Sequence, residues 1–156
     1  MIKIRECEFN DIDLWIKLNE DFMKYEITDE VFWNETLSVQ KENLRNIFVE
    51  ALENKENIKL MMIENNGDVI GFINLMIIFS VWAGGKALIL DDLFIIEEYR
   101  NMGFGKVVMN SLECYVKDNS YKRLQFLSEI SNKSANHFYK KLGYEFQSMN
   151  FYMKYF

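Results

Sequence analysis

A glycine-containing turn at residues 100–105 is the segment of the sequence best suited to bind an anion. It reads Arg100-Asn101-Met102-Gly103-Phe104-Gly105, follows an apolar strand pattern and opens an amphipathic helix pattern. Such a position exposes backbone N–H groups and the positive end of the helix dipole, and glycines let a diphosphate approach the backbone. The same turn is also compatible with an ordinary strand-to-helix connection, so the turn alone does not decide between the two interpretations.

The spacing of this turn excludes two common phosphate-binding motifs. A dinucleotide fingerprint requires a third small residue where Val108 stands. A P-loop requires glycine at Arg100 and serine or threonine at Val107. The sequence therefore supports neither an NAD-binding site nor an ATP-binding site.

Two adjacent acids, Asp91 and Asp92, interrupt an otherwise apolar strand pattern. Neighbouring strand residues point to opposite faces, so one carboxylate could reach solvent while the other faces a helix or a second binding surface. A buried carboxylate is costly unless it is paired, and a structural ion pair with Arg100 or Arg123 is the alternative interpretation. We favour a functional role, in which at least one acid lies near a bound amine.

The elements that would position these residues alternate between strand and helix patterns. Asn65-Asn66-Gly67-Asp68 predicts a hairpin turn, and Gly105 to Lys117 predicts the helix of a βαβ crossover. The predicted strands are Ile2–Glu6, Ile58–Ile63, Val69–Phe79, Ala87–Ile96, Arg123–Ser128, Glu145–Met149 and Phe151–Tyr155; further helices begin at Asp11, Ser38 and Lys133. We predict a mixed α/β sheet in a single domain over residues 1–156.

The amino-acid composition limits the classes of function that are compatible with this chain. The 156 residues carry 18 Lys and Arg against 24 Asp and Glu, for a net charge of −6, which disfavours nucleic acid and does not repel cationic small molecules. No apolar stretch is long enough to span a bilayer, and no signal segment opens the chain, so we expect no membrane association and a cytoplasmic location. A single histidine and two distant cysteines offer no metal spacing, and we predict no metal.

A second block, Asn132-Lys133-Ser134-Ala135-Asn136-His137-Phe138-Tyr139-Lys140-Lys141-Leu142-Gly143-Tyr144, follows the glycine turn after one strand. Together the two blocks resemble the GNAT acetyltransferase superfamily, whose turn reads Arg/Gln-x-x-Gly-x-Gly/Ala and whose second block reads Asn-x-x-Ala-x-x-Phe-Tyr-x-x-Leu-Gly-Phe. The resemblance implies a central, mostly antiparallel sheet of about seven strands, splayed at its centre and flanked by about four helices. It also implies acetyl-CoA as the acetyl donor.

By this resemblance, the backbone of Leu93, Phe94 and Ile95 would hold the pantetheine arm as an added strand. Arg100 and the segment Asn101, Met102, Gly103, Phe104, Gly105 and Lys106 would bind the pyrophosphate, and Asn132 and Ala135 would line the thiol end. Tyr139 would protonate the departing thiolate. From its helical spacing alone, packing is the alternative role for Tyr139.

A narrower resemblance concerns the acceptor. Trp82-Ala83-Gly84 and Leu90-Asp91-Asp92-Leu93-Phe94 are similar to segments of the diamine and polyamine acetyltransferase branch, as is Lys24-Tyr25-Glu26. The resemblance implies that Tyr25, Glu26, Trp82, Asp91 and Asp92 surround a cationic amine, and that Asp91 accepts its proton directly or through water. The resemblance also allows a homodimer, because members of this family are often homodimers.

Two alternatives stay open from the sequence. The acceptor could be a peptide or protein amine, because nothing in the acidic composition excludes it. The chain could also be a non-catalytic module that binds coenzyme A in a regulatory role, although the intact Tyr139 disfavours that interpretation.

Overall fold

The computed structural model describes residues 1–26, 43–152 and 154. These residues form two compact units, Met1–Phe126 and Leu127–Phe156. The predicted helix start at Ser38 lies outside the described residues. The prediction of a single domain over 1–156 stays a prediction.

One five-stranded sheet, in the order β1-β2-β3-β4-β5, forms the centre of the first unit. The strands are β1 (Ile2–Glu6), β2 (Ile58–Asn65), β3 (Asp68–Ser80), β4 (Gly85–Ile95) and β5 (Leu124–Phe126). The first three neighbouring pairs are antiparallel, and β4 pairs with β5 in parallel. This arrangement confirms a mixed, mostly antiparallel sheet and the predicted βαβ crossover.

Four α-helices accompany the strands in the described part of the chain. They are α1 (Ile12–Glu26), α2 (43–53), α3 (Phe104–Asp118) and α4 (Lys133–Lys141). Trp15 and Leu18 of α1 and Phe48 of α2 are buried, and the rings of Trp15 and Phe48 lie 5.3 Å apart. Burial of a side chain such as Phe48 contributes roughly 1.5–3 kcal/mol. Ile47, on the same helix, is 38% exposed.

Two glycines on β3 and its preceding turn are required by the backbone. Asn66 and Gly67 have φ values of 54° and 99°, the left-handed pair that a two-residue hairpin needs, so the predicted turn is confirmed. Gly71 lies opposite Ile95 of β4, and a Cβ at this position would sit 2.1 Å from the carbonyl oxygen of Phe94. Only glycine therefore lets β3 pass the end of β4 at this distance.

The strand count differs from the prediction of about seven. The described residues form five strands: β5 is shorter than the predicted Arg123–Ser128, and residues 145–152 contain no strand. A strand requires a partner to complete its hydrogen-bond ladder, and alternating apolar residues do not supply one. The large apolar residues Phe146, Met149 and Phe151 of this segment are exposed instead.

Candidate active site

Half of β4 has an open edge. β5 pairs with only three residues of β4, from Leu88 to Leu90, and within the described sheet no strand continues beside the segment from Asp91 to Ile95. From Leu88 to Leu90, β4 therefore has a neighbouring strand on each side. Beyond Leu90 it pairs with β3 alone. An edge that is left open at this point is compatible with the splayed centre that the family resemblance implies.

The hydrogen-bond pattern fixes which backbone groups face the open edge. The Ile96 N–H donates to the Ile70 carbonyl at 2.9 Å, and hydrogen-bonded pairs alternate along an antiparallel ladder. With the observed register, Phe94 directs its N–H and C=O towards β3, whereas Leu93 and Ile95 direct theirs towards the open edge. Two residues of the predicted pantetheine segment can thus bind an added strand, and the Phe94 side chain is buried in the core.

The turn after β4 has the geometry of an anion-binding loop. Asn101 and Gly103 adopt left-handed backbone conformations, with φ values of 61° and 80°, and α3 begins at Phe104. Amides in the first turn of a helix have no carbonyl partner one turn earlier, so those of Gly103, Phe104 and Gly105 lack such a partner within α3. The first turn holds no acidic residue, and Lys106 adds a positive charge. Charge and donors therefore both favour a phosphate here.

The Arg100 side chain turns back towards the end of β4. Its Nε donates a 2.7 Å hydrogen bond to the Ile95 carbonyl oxygen at the open edge. Its guanidinium carbon lies 4.1 Å from the ring centroid of Tyr25 and 5.1 Å from that of Phe94. Arg100, which the sequence assigned to coenzyme binding, is thus in contact with Tyr25, which the sequence assigned to the acceptor site. One face of the Tyr25 ring is already covered by a cation.

Asp91 occupies a β-bulge. In the β3–β4 register Asn74 pairs with Asp92 and Leu75 pairs with Leu90, so Asp91 is the extra residue on β4. Its side chain reaches the surface, but neighbouring atoms still remove enough water that desolvation raises its pKa above the ordinary value. A bulge re-aims a side chain out of the ladder, and such bulges are frequent beside active sites.

The surroundings of Asp91 differ from those of acids with a structural role. Asp11 forms an ion pair with Arg5, and Glu64 forms ion pairs with Lys3 and Arg5; these contacts lower the pKa of both carboxyl groups. Burial is the cause of the raised pKa of Asp91, and no charged group in the described part of the chain contributes to the shift. The alternative of a structural ion pair therefore gains no support at Asp91.

Asp92 is half-buried and receives a hydrogen bond from a residue that the sequence interpretation did not assign to the site. Asn74 of β3 donates from Nδ2 to Asp92 Oδ2 at 2.8 Å, and Asn74 also contacts Trp15 and Asn19 of α1. The available signal was a polar residue inside the apolar stretch from Val69 to Phe79. Assigning Asn74 to the site required the register between β3 and β4, which places Asn74 opposite Asp92.

One further acceptor candidate, Trp82, is not brought to the acids. Trp82 lies in the turn between β3 and β4 and is 94% exposed. It precedes the first residue of β4, and at about 3.3 Å per residue the stretch from Gly85 to Asp91 extends roughly 20 Å. Glu26 is the last residue of α1, and its side chain lies outside the described residues.

The second unit contains the predicted thiol-end residues. Asn132 caps α4, since its Oδ1 accepts a 3.0 Å hydrogen bond from the Ala135 amide. Tyr139 is half-buried, its ring 5.1 Å from that of Phe138 and 6.1 Å from that of Tyr144. Burial raises the pKa of the Tyr139 hydroxyl, so its proton is retained at neutral pH.

No helix in the described part of the chain combines the length and apolar character needed to cross a bilayer. The described residues also contain no group of three or more His, Cys, Asp or Glu placed to hold a metal ion.

Comparison with known proteins extends these observations. The chain is 34% identical over 94 residues to the uncharacterized N-acetyltransferase YhfO of Bacillus subtilis (strain 168), covering 60% of this chain and 62% of that protein. It is 25% identical over 112 residues to the Beta-lysine N(6)-acetyltransferase of Methanococcus maripaludis, covering 63% of this chain and 39% of that protein. The chain thus spans less than two thirds of the length of either relative.

The fold has close counterparts among solved structures. A possible acetyltransferase from Clostridium difficile 630 matches with a TM-score of 0.81 at 21% identity, over 100% of this chain and 98% of that chain. The model of the acetyltransferase (GNAT) family, whose members use acetyl-CoA as acetyl donor, matches residues 15–144. Since that match covers most of the chain, from within α1 to Tyr144, three residues after the last residue of α4, the chain belongs to the acetyltransferase (GNAT) family.

Proposed function

We propose that this chain is an acetyl-CoA-dependent N-acetyltransferase that transfers the acetyl group to a primary amine of a small cationic substrate, such as a polyamine, diamine or related amine. The observation that carries the proposal is the arrangement along β4. A bulged acid at Asp91, an open strand edge at Leu93 and Ile95, and a left-handed loop at Gly103 follow one another within one short segment.

The donor half of the site fits acetyl-CoA. The open edge supplies backbone donors and acceptors for the amides of the pantetheine arm, and the amides of Gly103, Phe104 and Gly105 supply donors for the pyrophosphate. A Cβ built on Gly103 meets no atom within 4 Å, so the space beside the loop is open to a ligand. Lys106 and the helix dipole add favourable charge.

The acceptor half fits a cation. Asp91 and Asp92 place two carboxylates on one short stretch of β4, and the net charge of −6 attracts polyamines. The relative from Methanococcus maripaludis is named for acetylation at N(6) of beta-lysine, which agrees with an amine acceptor. In the proposed reaction the neutral amine attacks the thioester carbonyl directly, the C–S bond breaks, and the thiolate leaves. Asp91 takes the proton from the amine, and Tyr139 protonates the thiolate.

A thiol-release assay with acetyl-CoA and a panel of amines tests the proposal. The panel contains diamines, polyamines, beta-lysine, monoamines and a peptide with a free N-terminus. We expect turnover with diamines or polyamines at kcat/KM values well above those for the peptide. Turnover with the peptide alone would replace this proposal by peptide or protein acetylation, and coenzyme binding without turnover of any amine would indicate a regulatory module.

Replacing Gly103 with alanine is expected to raise the KM for acetyl-CoA about tenfold. A left-handed conformation costs a residue with a Cβ roughly 1–2 kcal/mol, and 1.4 kcal/mol corresponds to a factor of ten. The loop would relax away from φ 80° and misdirect the amides that bind the pyrophosphate. Initial rates at varied acetyl-CoA, together with calorimetric titration of coenzyme A, measure the change.

Gly84 provides a matched control for this substitution. It has a φ of 76° in the turn between β3 and β4, and a Cβ there also meets no atom within 4 Å. Gly84→Ala should therefore carry similar backbone strain without changing the affinity for the coenzyme. Equal effects of the two variants on the KM for acetyl-CoA would contradict a specific role for the Gly103 loop.

A further inference from the structure

A hydrogen-bonded group of three side chains crosses the apolar core of the first unit. This polar cluster consists of the indole of Trp15 and the amide of Asn19 on α1, and the amide of Asn74 on β3. Trp15 and Asn19 are 3% and 4% exposed. The Trp15 Nε1 donates to Asn74 Oδ1 at 3.1 Å, and Asn74 Nδ2 donates to Asn19 Oδ1 at 3.3 Å and to Asp92 Oδ2 at 2.8 Å. The cluster therefore links helix α1 to an acid of the proposed acceptor site.

The direction of each hydrogen bond in the cluster is fixed by chemistry. An indole N–H can only donate, so the oxygen of the Asn74 amide must face Trp15 and its NH₂ group must face Asp92. Asn19 donates from Nδ2 to the Trp15 carbonyl oxygen at 2.8 Å, which leaves its own oxygen to accept from Asn74. A reversed Asn74 amide would set its oxygen against the carboxylate. The cluster thus presents an N–H, and no acceptor, to Asp92.

The β-bulge sets the partner of this N–H. The extra residue Asp91 leaves the ladder, and the next residue, Asp92, falls directly opposite Asn74. Side chains of directly opposed residues share one face of the sheet and lie within contact distance. Buried amides are costly unless fully hydrogen-bonded, and apolar side chains would fill this part of the core at no such cost. The placement of the Asn74 amide against Asp92 therefore calls for a role beyond packing.

We propose that Asn74 is a positioning residue that holds the Asp92 carboxylate in a fixed orientation to bind the distal ammonium group of the acceptor, and that Trp15 and Asn19 keep Asn74 in place. This inference rests on the proposed function. It separates the roles of the two acids: Asp91 acts on the reacting nitrogen, and Asp92 recognises the far end of the substrate. Asn74 then determines the preference for dications over monoamines.

The test is a comparison of a diamine with a monoamine of the same chain length in the wild type and in Asn74→Leu. We expect Asn74→Leu to raise the KM for the diamine about tenfold. The kcat/KM for the monoamine and the KM for acetyl-CoA should stay within about threefold, because the monoamine has no distal ammonium. Asn46→Leu, at an exposed position of α2, is the control for the change of side chain.

Trp15→Phe is the second variant, and it decides the question if Asn74→Leu does not fold. It keeps an aromatic ring in the core but removes the indole N–H, so the Asn74 amide loses its fixed direction. We expect the same loss of preference for the diamine, about threefold to fivefold in size.

The outcomes separate this inference from the proposed function. A wild type that turns over no amine would overturn both. A wild type that prefers the diamine, with variants that lower diamine and monoamine kcat/KM equally or change neither, would overturn the role of Asn74 alone.

Discussion

Replacing Tyr139 with phenylalanine is expected to lower kcat about 100-fold while leaving the affinity for coenzyme A within about twofold. A positioned general acid contributes roughly 10²–10⁴-fold to a rate, and the smaller figure applies when water can partly replace it. The pKa of Tyr139 is raised by burial, so the hydroxyl keeps its proton beyond the ordinary tyrosine value of about 10. Protonation of the thiolate by Tyr139 should therefore not limit the rate between pH 7 and 9.

The measurement is kcat at saturating acetyl-CoA and amine, combined with calorimetry for coenzyme binding. Tyr144→Phe is the matched control: Tyr144 lies against the Tyr139 ring, and phenylalanine is the residue that the family pattern places there. The control should retain kcat within about twofold. An unchanged kcat in Tyr139→Phe would assign Tyr139 to packing, the alternative that its helical spacing allows.

The turn at residues 100–105 could be predicted from sequence because its conformation depends on local residues. The six residues from Arg100 to Gly105 carry both glycines and the start of α3, and Gly103 adopts the left-handed conformation that such a turn requires. The β2–β3 hairpin was predicted for the same reason, since Asn66 and Gly67 determine the turn between them. Short-range backbone preference is sufficient for both features.

The acceptor side could be predicted only in part because its geometry depends on pairing between distant segments. The Asp91-Asp92 pair was visible, but the bulge is a property of the β3–β4 register and cannot be read from β4 alone. Similarly, the contact of Arg100 with Tyr25 joins the donor loop to the end of α1. Tertiary contacts of this kind override what strand alternation predicts. The homodimer and the cytoplasmic location stay predictions.

Replacing Asp91 with asparagine is expected to lower kcat/KM for the amine by about 10²–10³-fold, with the KM for acetyl-CoA nearly unchanged. A primary amine has a pKa of about 10.4 and is mostly charged at neutral pH, so a base must remove its proton before attack. Asparagine keeps the size of the side chain and removes its basicity. The defect should shrink for acceptor amines of lower pKa, because more of each such amine is already neutral.

The pH dependence gives an independent measure of the same role. The carboxylate is the active form, so the activity due to Asp91 should rise as the pH increases through its pKa. Desolvation raises that pKa, which moves this limb to higher pH than an ordinary aspartate would give. The limb should be absent from the Asp91→Asn profile and retained in Asp68→Asn, which changes an exposed acid at the β2–β3 hairpin. Asp91→Glu should restore most of the activity, because glutamate keeps the carboxylate that accepts the proton. An Asp91→Asn profile with the wild-type limb, or a defect of equal size for amines of every pKa, would move the base to another group and leave Asp91 a binding residue for the cation.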